Sequence, residues 1–337
     1  MLFKDFLQVS ASEIDSEIES FFTNWSKDVI RISERLLPFL DVLAEGCRGG
    51  KRIRGALVKL GYEMGGERVD NKEILRVAAA VEIFQTAILC HDDIIDKSLM
   101  RRGKPSLYAR LGGGHEGVSK AICLGDIGYF LAFQIVAKSG FEDRLKSRVM
   151  GIFSKMMLET ALGELLDVDG CEDVMTVYEY KTAQYTISGP LMMGAVLGGA
   201  GEEQCGSIRI FGQNLGIAFQ IQDDINDIFS KRERMGKDVG GDIKEGKQTL
   251  LYLYAKEHAD EDGRKILDKY FGKSEVGEEE IGMVREVFRR SGALEYCKGK
   301  AEEYAARARE AIGGISDDAG YRDMFLEMSE YFVKSKE

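Results

Sequence analysis

Residues 78–96 read AAAVEIFQTAILCHDDIID, an apolar run at helical spacing with no proline, closed by five residues of which three are aspartate. Residues 216–229, GIAFQIQDDINDIF, repeat that form and end in a second acidic pentad, Asp223-Asp224-Ile225-Asn226-Asp227. Apolar residues recur at the same spacing through most of the chain, with few alternating runs rich in β-branched side chains, and that pattern predicts an all-α protein. The predicted helices cover 11–40, 52–65, 70–100, 117–138, 141–168, 173–199, 202–230, 244–258, 262–271, 278–290, 292–312 and 319–335. Only Pro38, Pro105 and Pro190 interrupt the 337 residues, so long helices are permitted almost everywhere. The breaks carry glycine and none is long enough for a flexible interdomain linker. The chain therefore reads as one domain, 1–337, with its motifs between about 46 and 251 and motif-free helices over 256–337.

Composition excludes several classes of function. With 46 Lys and Arg against 57 Asp and Glu the net charge is −11, which argues against a nucleic-acid groove. Six scattered cysteines without a C-x-x-C pair, and only three histidines, make a structural zinc site or a disulfide framework unexpected and fit a reducing cytoplasm. The N-terminus, MLFKDFLQVSASEIDSEIE, turns acidic too early for a signal peptide, and no run of 18 consecutive apolar residues is present. Neither export nor a transmembrane segment is expected.

At 3.6 residues per turn, Asp92 shares a helical face with Asp96, and Asp223 with Asp227. Each helix end thus presents a two-carboxylate pincer. Two unit charges about 5.5 Å apart repel by roughly 3 kcal/mol at an effective dielectric of about 20, and each pair adjoins an apolar helix expected to be buried. A positive partner is expected. Mg²⁺ is the natural one, because it accepts one or two carboxylates while keeping waters and substrate phosphate oxygens. Should the pincers face one another across a bundle, ions held between them would receive a diphosphate. The plainer alternative for a single copy is an acidic helix end. A calcium loop is excluded by the missing twelve-residue spacing.

Basic residues lie nearby in sequence. In Gly49-Gly50-Lys51-Arg52-Ile53-Arg54 a glycine turn opens a helix with Lys51 and Arg54 three apart, an arrangement suited to phosphate although it is not a Walker A loop. After the first pentad come Arg101 and Arg102, adjacent residues whose side chains diverge and so could address two different diphosphates. Lys181-Thr182 falls within a helix, and Lys237 and Lys247 fall in the charged stretch 230–247. Singly, each fits a solvated or structural residue.

In this order, GGKRIR, VEIFQTAILCHDDIID, RRGKP, LGD at 124–126, GELLD at 163–167, YKTA at 180–183, FQIQDDINDIF and GKDVGGDIKEGKQTL resemble the trans-isoprenyl diphosphate synthase family, the polyprenyl synthetases. The resemblance implies an all-α bundle around a deep central cavity, a homodimer, and head-to-tail condensation of isopentenyl diphosphate with an allylic diphosphate. It further implies a cluster of Mg²⁺ ions held by Asp92, Asp96 and Asp223, with Asp93, Asp224 and Asp227 as ligands or directly behind them. Arg101, Lys181 and Lys237 would hold the allylic diphosphate, and Lys247, in the same charged stretch, would also bind substrate. Lys51, Arg54, Gln85 and Arg102 would hold isopentenyl diphosphate, and Thr182 and Gln220 would lie beside the developing cation. Gln85, Gly55 and Leu251 depart from the family's commoner histidine, proline and proline.

Product length is expected from the residues upstream of Asp92. Members that stop at fifteen carbons carry a bulky aromatic near the position of Ala87. Here Phe84 is the next large side chain, with Ile88 between, so an all-trans product of about C20, or C25, is expected. The sequence leaves two rival functions: a class I terpene synthase, against which the second pentad and the paired basic site count, and a non-catalytic subunit, against which the intact pentads count.

Overall fold

The structure, a computed structural model, describes residues 2–65, 71–230 and 240–334. Among these the protein is all-α apart from one two-stranded hairpin. The elements that matter below are α1 (Phe3–Ile30), α2 (Leu37–Gly46), α3 (Ile53–Met64), α4 (Asn71–Ile95), β1 (Met100–Arg101), β2 (Lys104–Pro105), α5 (Leu107–Arg110), α6 (Gly114–Ala137), α7 (Asp143–Val168), α8 (Val174–Val177), a π-helix over Tyr178–Ser188, α9 (Gly189–Leu197) and α10 (Glu202–Phe229). They are followed by α11 (Gly241–Glu245), α12 (Leu250–His258), α13 (Glu261–Tyr270), α14 (Glu278–Arg290), α15 (Ala293–Glu310) and α16 (Ala319–Val333).

Four boundaries differ from the sequence expectation, each for a local reason. The helix expected over 244–258 breaks where Gly246 turns left-handed at φ +73° and restarts at Leu250, capped by the Thr249 side chain. The helix expected over 11–40 is two helices. α1 starts at Phe3, and its buried stripe Phe3, Phe6, Leu7, Ser10, Ile14, Ile18 and Phe22 keeps the three-and-four spacing. The chain breaks at 31–33, where the Ser33 side chain caps a 3-10 turn, and Pro38 then sits in the first turn of α2, the one place where a missing N–H costs little. The helix expected over 70–100 ends at Ile95. Lys97 turns left-handed at φ +53°, Ser98 N–H donates to Asp93 O at 2.8 Å and Lys97 N–H to Ile94 O at 3.3 Å, which is a Schellman closure without its usual glycine. The helix expected over 173–199 widens into the π-helix and narrows again at Gly189, directly ahead of Pro190, which has no N–H for the carbonyl four residues back.

The chain divides into two compact units, residues 1–154 with 190–205, and residues 155–189 with 206–337. In the first, α4 is buried almost all round, from Ile74 through Val77, Ala78, Val81, Phe84 and Ala87 to Cys90, as expected of a helix wrapped by neighbours. Lys72–Ile95 and Gly114–Ala137 are long and apolar enough to cross a membrane by length and composition, but 72% and 44% of their apolar windows are buried inside the protein. In the second unit, Ile217, Ile221, Ile225 and Ile228 of α10 enter a core with Tyr178, Leu251, Leu267, Val284, Phe288 and Ala301. The motif-free residues beyond 256 are thus the packing that supports the second pentad.

Candidate active site

The first pentad forms the C-terminus of α4. The Asp96 N–H still donates to the Asp92 carbonyl at 2.9 Å, so the helical turn that stacks these two aspartates is complete. Asp93, one residue round, is buried. Arg101 on β1 donates Nε to Asp93 at 2.7 Å and Nη2 to Asp92 at 2.7 Å. Burial alone would lower the pKa of Arg101, but the Asp92 and Asp93 charges outweigh it and raise it.

Arg102 goes elsewhere. It and Gly103 both have positive φ, +54° and +73°, the conformation a two-residue type I′ hairpin demands at both central positions. Its Nη1 donates to the Gly49 carbonyl at 3.2 Å, and a Cβ placed on Gly50 would lie 3.1 Å from that nitrogen. Burial lowers its pKa; Glu82 opposes this, while the charges of Arg52, Arg101 and Arg54 add to it. The divergence expected of the adjacent arginines is therefore present, and Arg102 joins Arg54 and the Gly49–Lys51 turn. Gln85 comes one turn after Glu82 on α4; the Glu82 carboxylate accepts the Gly55 N–H of α3 at 2.8 Å. The buried Oε1 of Gln85 has no hydrogen-bond partner among the described residues. Arg52, between Lys51 and Arg54 in sequence, has a different role. It is buried at φ +52°, and its guanidinium is engaged by Asp15, the Cys47 carbonyl and Glu82.

In the second unit, Asp223 is half-buried on α10 and Asp227 follows one turn on. Asp227 is tied down, accepting the Asp242 N–H at 3.1 Å while its carbonyl accepts the Gly240 N–H at 3.0 Å. Asp224 points into the core at 3% exposure, where Tyr178 Oη and Gln220 Nε2 (2.6 Å) donate to it. Burial, then the Asp242 charge, pushes its carboxyl up to about 8, against Lys247 and those hydrogen bonds. Gln220 Oε1 accepts from Thr182 Oγ1 at 2.7 Å, bringing the two residues expected beside a cation into contact. Lys247 lies 3.8 Å from Asp242. Lys237 lies outside the described residues.

Lys181 occupies the π-helix and pairs with Glu164 at 2.8 Å and Asp167 at 2.5 Å. A Cβ on Gly163 would overlap the Lys181 backbone, so glycine is what lets α7 meet the π-helix there. In sequence, Glu164 and Asp167 are marked only as an acidic pair at i and i+3 after Gly163. Tyr178, Glu82 and Asp15 were missed altogether, and no local pattern marks them.

The upstream residues also have defined surroundings. Phe84 is 1% exposed, with ring centroids 5.4 Å from Tyr129 and 5.0 Å edge-to-face from Phe153, which in turn stacks on Phe133 at 4.9 Å. Ala87 is pressed against α6, its Cβ 2.8 Å from where a Cβ on Gly128 would stand. Ile88 is half-buried.

The donors fit magnesium. Among the described residues no three carboxylate, imidazole or thiolate groups converge into a ready-made cage, yet a hard-oxygen pincer that leaves positions to water and phosphate oxygen is what Mg²⁺ accepts. Arg101 against Asp92 and Asp93 shows that the first cluster already draws positive charge.

The model of the polyprenyl synthetase family matches residues 38–288. A short chain isoprenyl diphosphate synthase of Methanocaldococcus jannaschii is 33% identical over 305 residues, 88% of this chain and 86% of that protein. The octaprenyl diphosphate synthase of Escherichia coli is 30% identical over 85% of this chain and 86% of its own length. A geranylgeranyl pyrophosphate synthase of Corynebacterium glutamicum, solved with isoprenyl diphosphate and magnesium, superimposes with a TM-score of 0.91 over 100% of both chains at 24% identity, a likeness of fold alone.

Proposed function

The chain belongs to the polyprenyl synthetase family and is a trans-prenyltransferase; on that premise we propose that it condenses isopentenyl diphosphate with an allylic diphosphate to an all-trans product of about C20. The observation that carries this is the pair of adjacent arginines. One hairpin sends Arg101 to the aspartates and Arg102 to the Gly49 carbonyl, and this divergence supports two anion positions of different make-up. A cyclase handles one diphosphate and needs one such position; a synthase needs two.

Asp92, Asp96 and Asp223 would hold Mg²⁺, with Asp93, Asp224 and Asp227 as further ligands or directly behind them. When bound, the metal supplies charge that stabilises a leaving diphosphate. Arg101 and Lys181, with Lys237, bind the allylic diphosphate and take up its growing negative charge as the carbon–oxygen bond breaks. Lys51, Arg54, Arg102 and the Gln85 amide bind isopentenyl diphosphate and orient its double bond toward the cation. The oxygens of Thr182 and Gln220 face that cation with lone pairs. No side-chain nucleophile is required, and the released diphosphate takes the proton.

We propose further that the protein is a homodimer of the cytoplasm. Leu158, Leu162 and Leu165 of α7 stand exposed at helical spacing, and Phe130 of α6 is 74% exposed, apolar surface that a second copy would cover. All six cysteines are free thiols, in keeping with a reducing compartment. The test is one incubation of purified protein with Mg²⁺, labelled isopentenyl diphosphate and allylic primers of increasing length. Elongated diphosphates support the reading, and a cyclic hydrocarbon or no product overturns it. Light scattering reports the oligomer.

A further inference from the structure

We propose that Tyr178 is a positioning residue for prenyl transfer, acting through Asp224 and Gln220 on the hydroxyl of Thr182; this rests on the function proposed above. The hydrogen bonds form one directed chain. Leu250, the first residue of α12, has an N–H with no partner inside its own helix, and it donates to Tyr178 Oη at 2.9 Å. With a lone pair so engaged, the Tyr178 hydroxyl donates to one oxygen of Asp224. The other oxygen accepts from Gln220 Nε2 at 2.6 Å, and Gln220 Oε1 accepts from Thr182 Oγ1 at 2.7 Å. Tyr178, Asp224 and Thr182 are each less than 9% exposed and Gln220 is half-buried, so the chain is largely shielded from solvent.

Direction is the useful property. As a carboxylate, Asp224 offers acceptors to both of its partners, so the Gln220 amide turns its nitrogen toward Asp224 and its oxygen toward Thr182. A threonine hydroxyl has one proton and two lone pairs. With the proton committed to Gln220, what Thr182 can present to a substrate is lone pairs alone, which suits a developing carbocation and would be lost if the hydroxyl rotated. Tyr178 sets the sense of the whole chain from its far end and touches no reacting atom. It also lies at the first residue of the π-helix that carries Lys181 and Thr182, so its hydroxyl anchors that widened turn to α10 and to the start of α12.

The experiment is steady-state prenyl transfer by full-length Tyr178→Phe, assayed below its melting temperature with Mg²⁺, isopentenyl diphosphate and an allylic primer. Positioning predicts a kcat about tenfold lower with both KM values within about twofold, the pattern of an interaction made in the transition state. In a Gln220→Leu background the same substitution should then change kcat by less than about twofold, because the chain is already cut. Thr249→Ala removes the cap that accepts the Tyr252 N–H at 3.3 Å and loosens the same helix start without touching the hydroxyl. It should lower the melting temperature and leave kcat nearly unchanged. An unchanged kcat in Tyr178→Phe, or losses that multiply independently in the double variant, overturns the proposal. An inactive wild type instead overturns the function on which it rests.

Discussion

Replacing Phe84 with alanine should lengthen the product, and the structure sets the scale of both the gain and the cost. Phe84 lies eight residues before Asp92, about 12 Å along α4 at about 1.5 Å per residue. The next side chain on that face is Val81, three residues further, so removing the ring opens about 4.5 Å, on the order of one five-carbon unit. The expected outcome is a shift from about C20 by one isoprene unit, with some longer material. The cost is a core Phe→Ala change at a site 1% exposed, about 3–5 kcal/mol. That figure includes the contacts with Tyr129 and Phe153, each about 0.5–1.5 kcal/mol. Products should be dephosphorylated and chromatographed by chain length at a temperature where circular dichroism shows the variant folded. Ile74→Ala supplies the control: Ile74 is equally buried on the same helix but ten residues further upstream, and it should cost about 2–5 kcal/mol without altering the product. An unchanged product from folded Phe84→Ala would overturn this account of chain length. An equal shift from Ile74→Ala would refute it too, because loosening of α4 would then set length.

Ala87→Phe should shorten the product, but at a price in stability the sequence does not reveal. Ala87 already abuts Gly128, so the ring must part α4 from α6 at about 1–3 kcal/mol; a stable variant with unchanged product, by melting curve and chromatography, would contradict both halves. Arg102→Ala should raise KM for isopentenyl diphosphate about 10- to 100-fold, equivalent to one charge-assisted hydrogen bond of about 1.5–3 kcal/mol. KM for the allylic primer should stay within about twofold, and equal rises in both would dissolve the two-site assignment. Lys181→Gln should lower kcat about 100-fold in a chain that still folds by circular dichroism, and a kcat near wild type would confine Lys181 to its pairing with Glu164 and Asp167.

What was legible in the sequence was whatever depends on spacing along one helix. The all-α character follows from a single period. The stacking of Asp92 on Asp96 and the seat of Asp223 and Asp227 follow from 3.6 residues per turn. The divergence of Arg101 and Arg102 follows from adjacency alone. What was not legible depends on partners distant in sequence. Arg52 sits inside the basic motif yet is claimed by Asp15 and Glu82, 37 and 30 positions away; only the fold brings a counter-charge to it, and from composition it was indistinguishable from Lys51 and Arg54. Tyr178 reaches Asp224 across 46 residues and Leu250 across 72. Ala87 read as an empty position, because its neighbour is a glycine on another helix.

Backbone conformation was the other hidden layer, and it falls at the site. Among the described residues the non-glycine positions with positive φ are Arg52, Lys97 and Arg102. They open α3, close α4 and turn the hairpin. Such conformations each cost on the order of 1–3 kcal/mol and persist where surrounding contacts over-determine them. Each does so here: Arg52 through its buried ion pairs, Lys97 through the Schellman bonds to Asp93 and Ile94, and Arg102 through Gly49. The π-helix that presents Lys181 and Thr182 is the same device in helical form, held by Glu164, Asp167 and the Tyr178 chain. Propensity would place glycine at the first three positions and an ordinary α-helix at the fourth. Exchanging Arg102 for glycine should therefore keep the hairpin and relieve its strain while removing the guanidinium, so whatever activity that change costs is the contribution of the charge rather than of the turn.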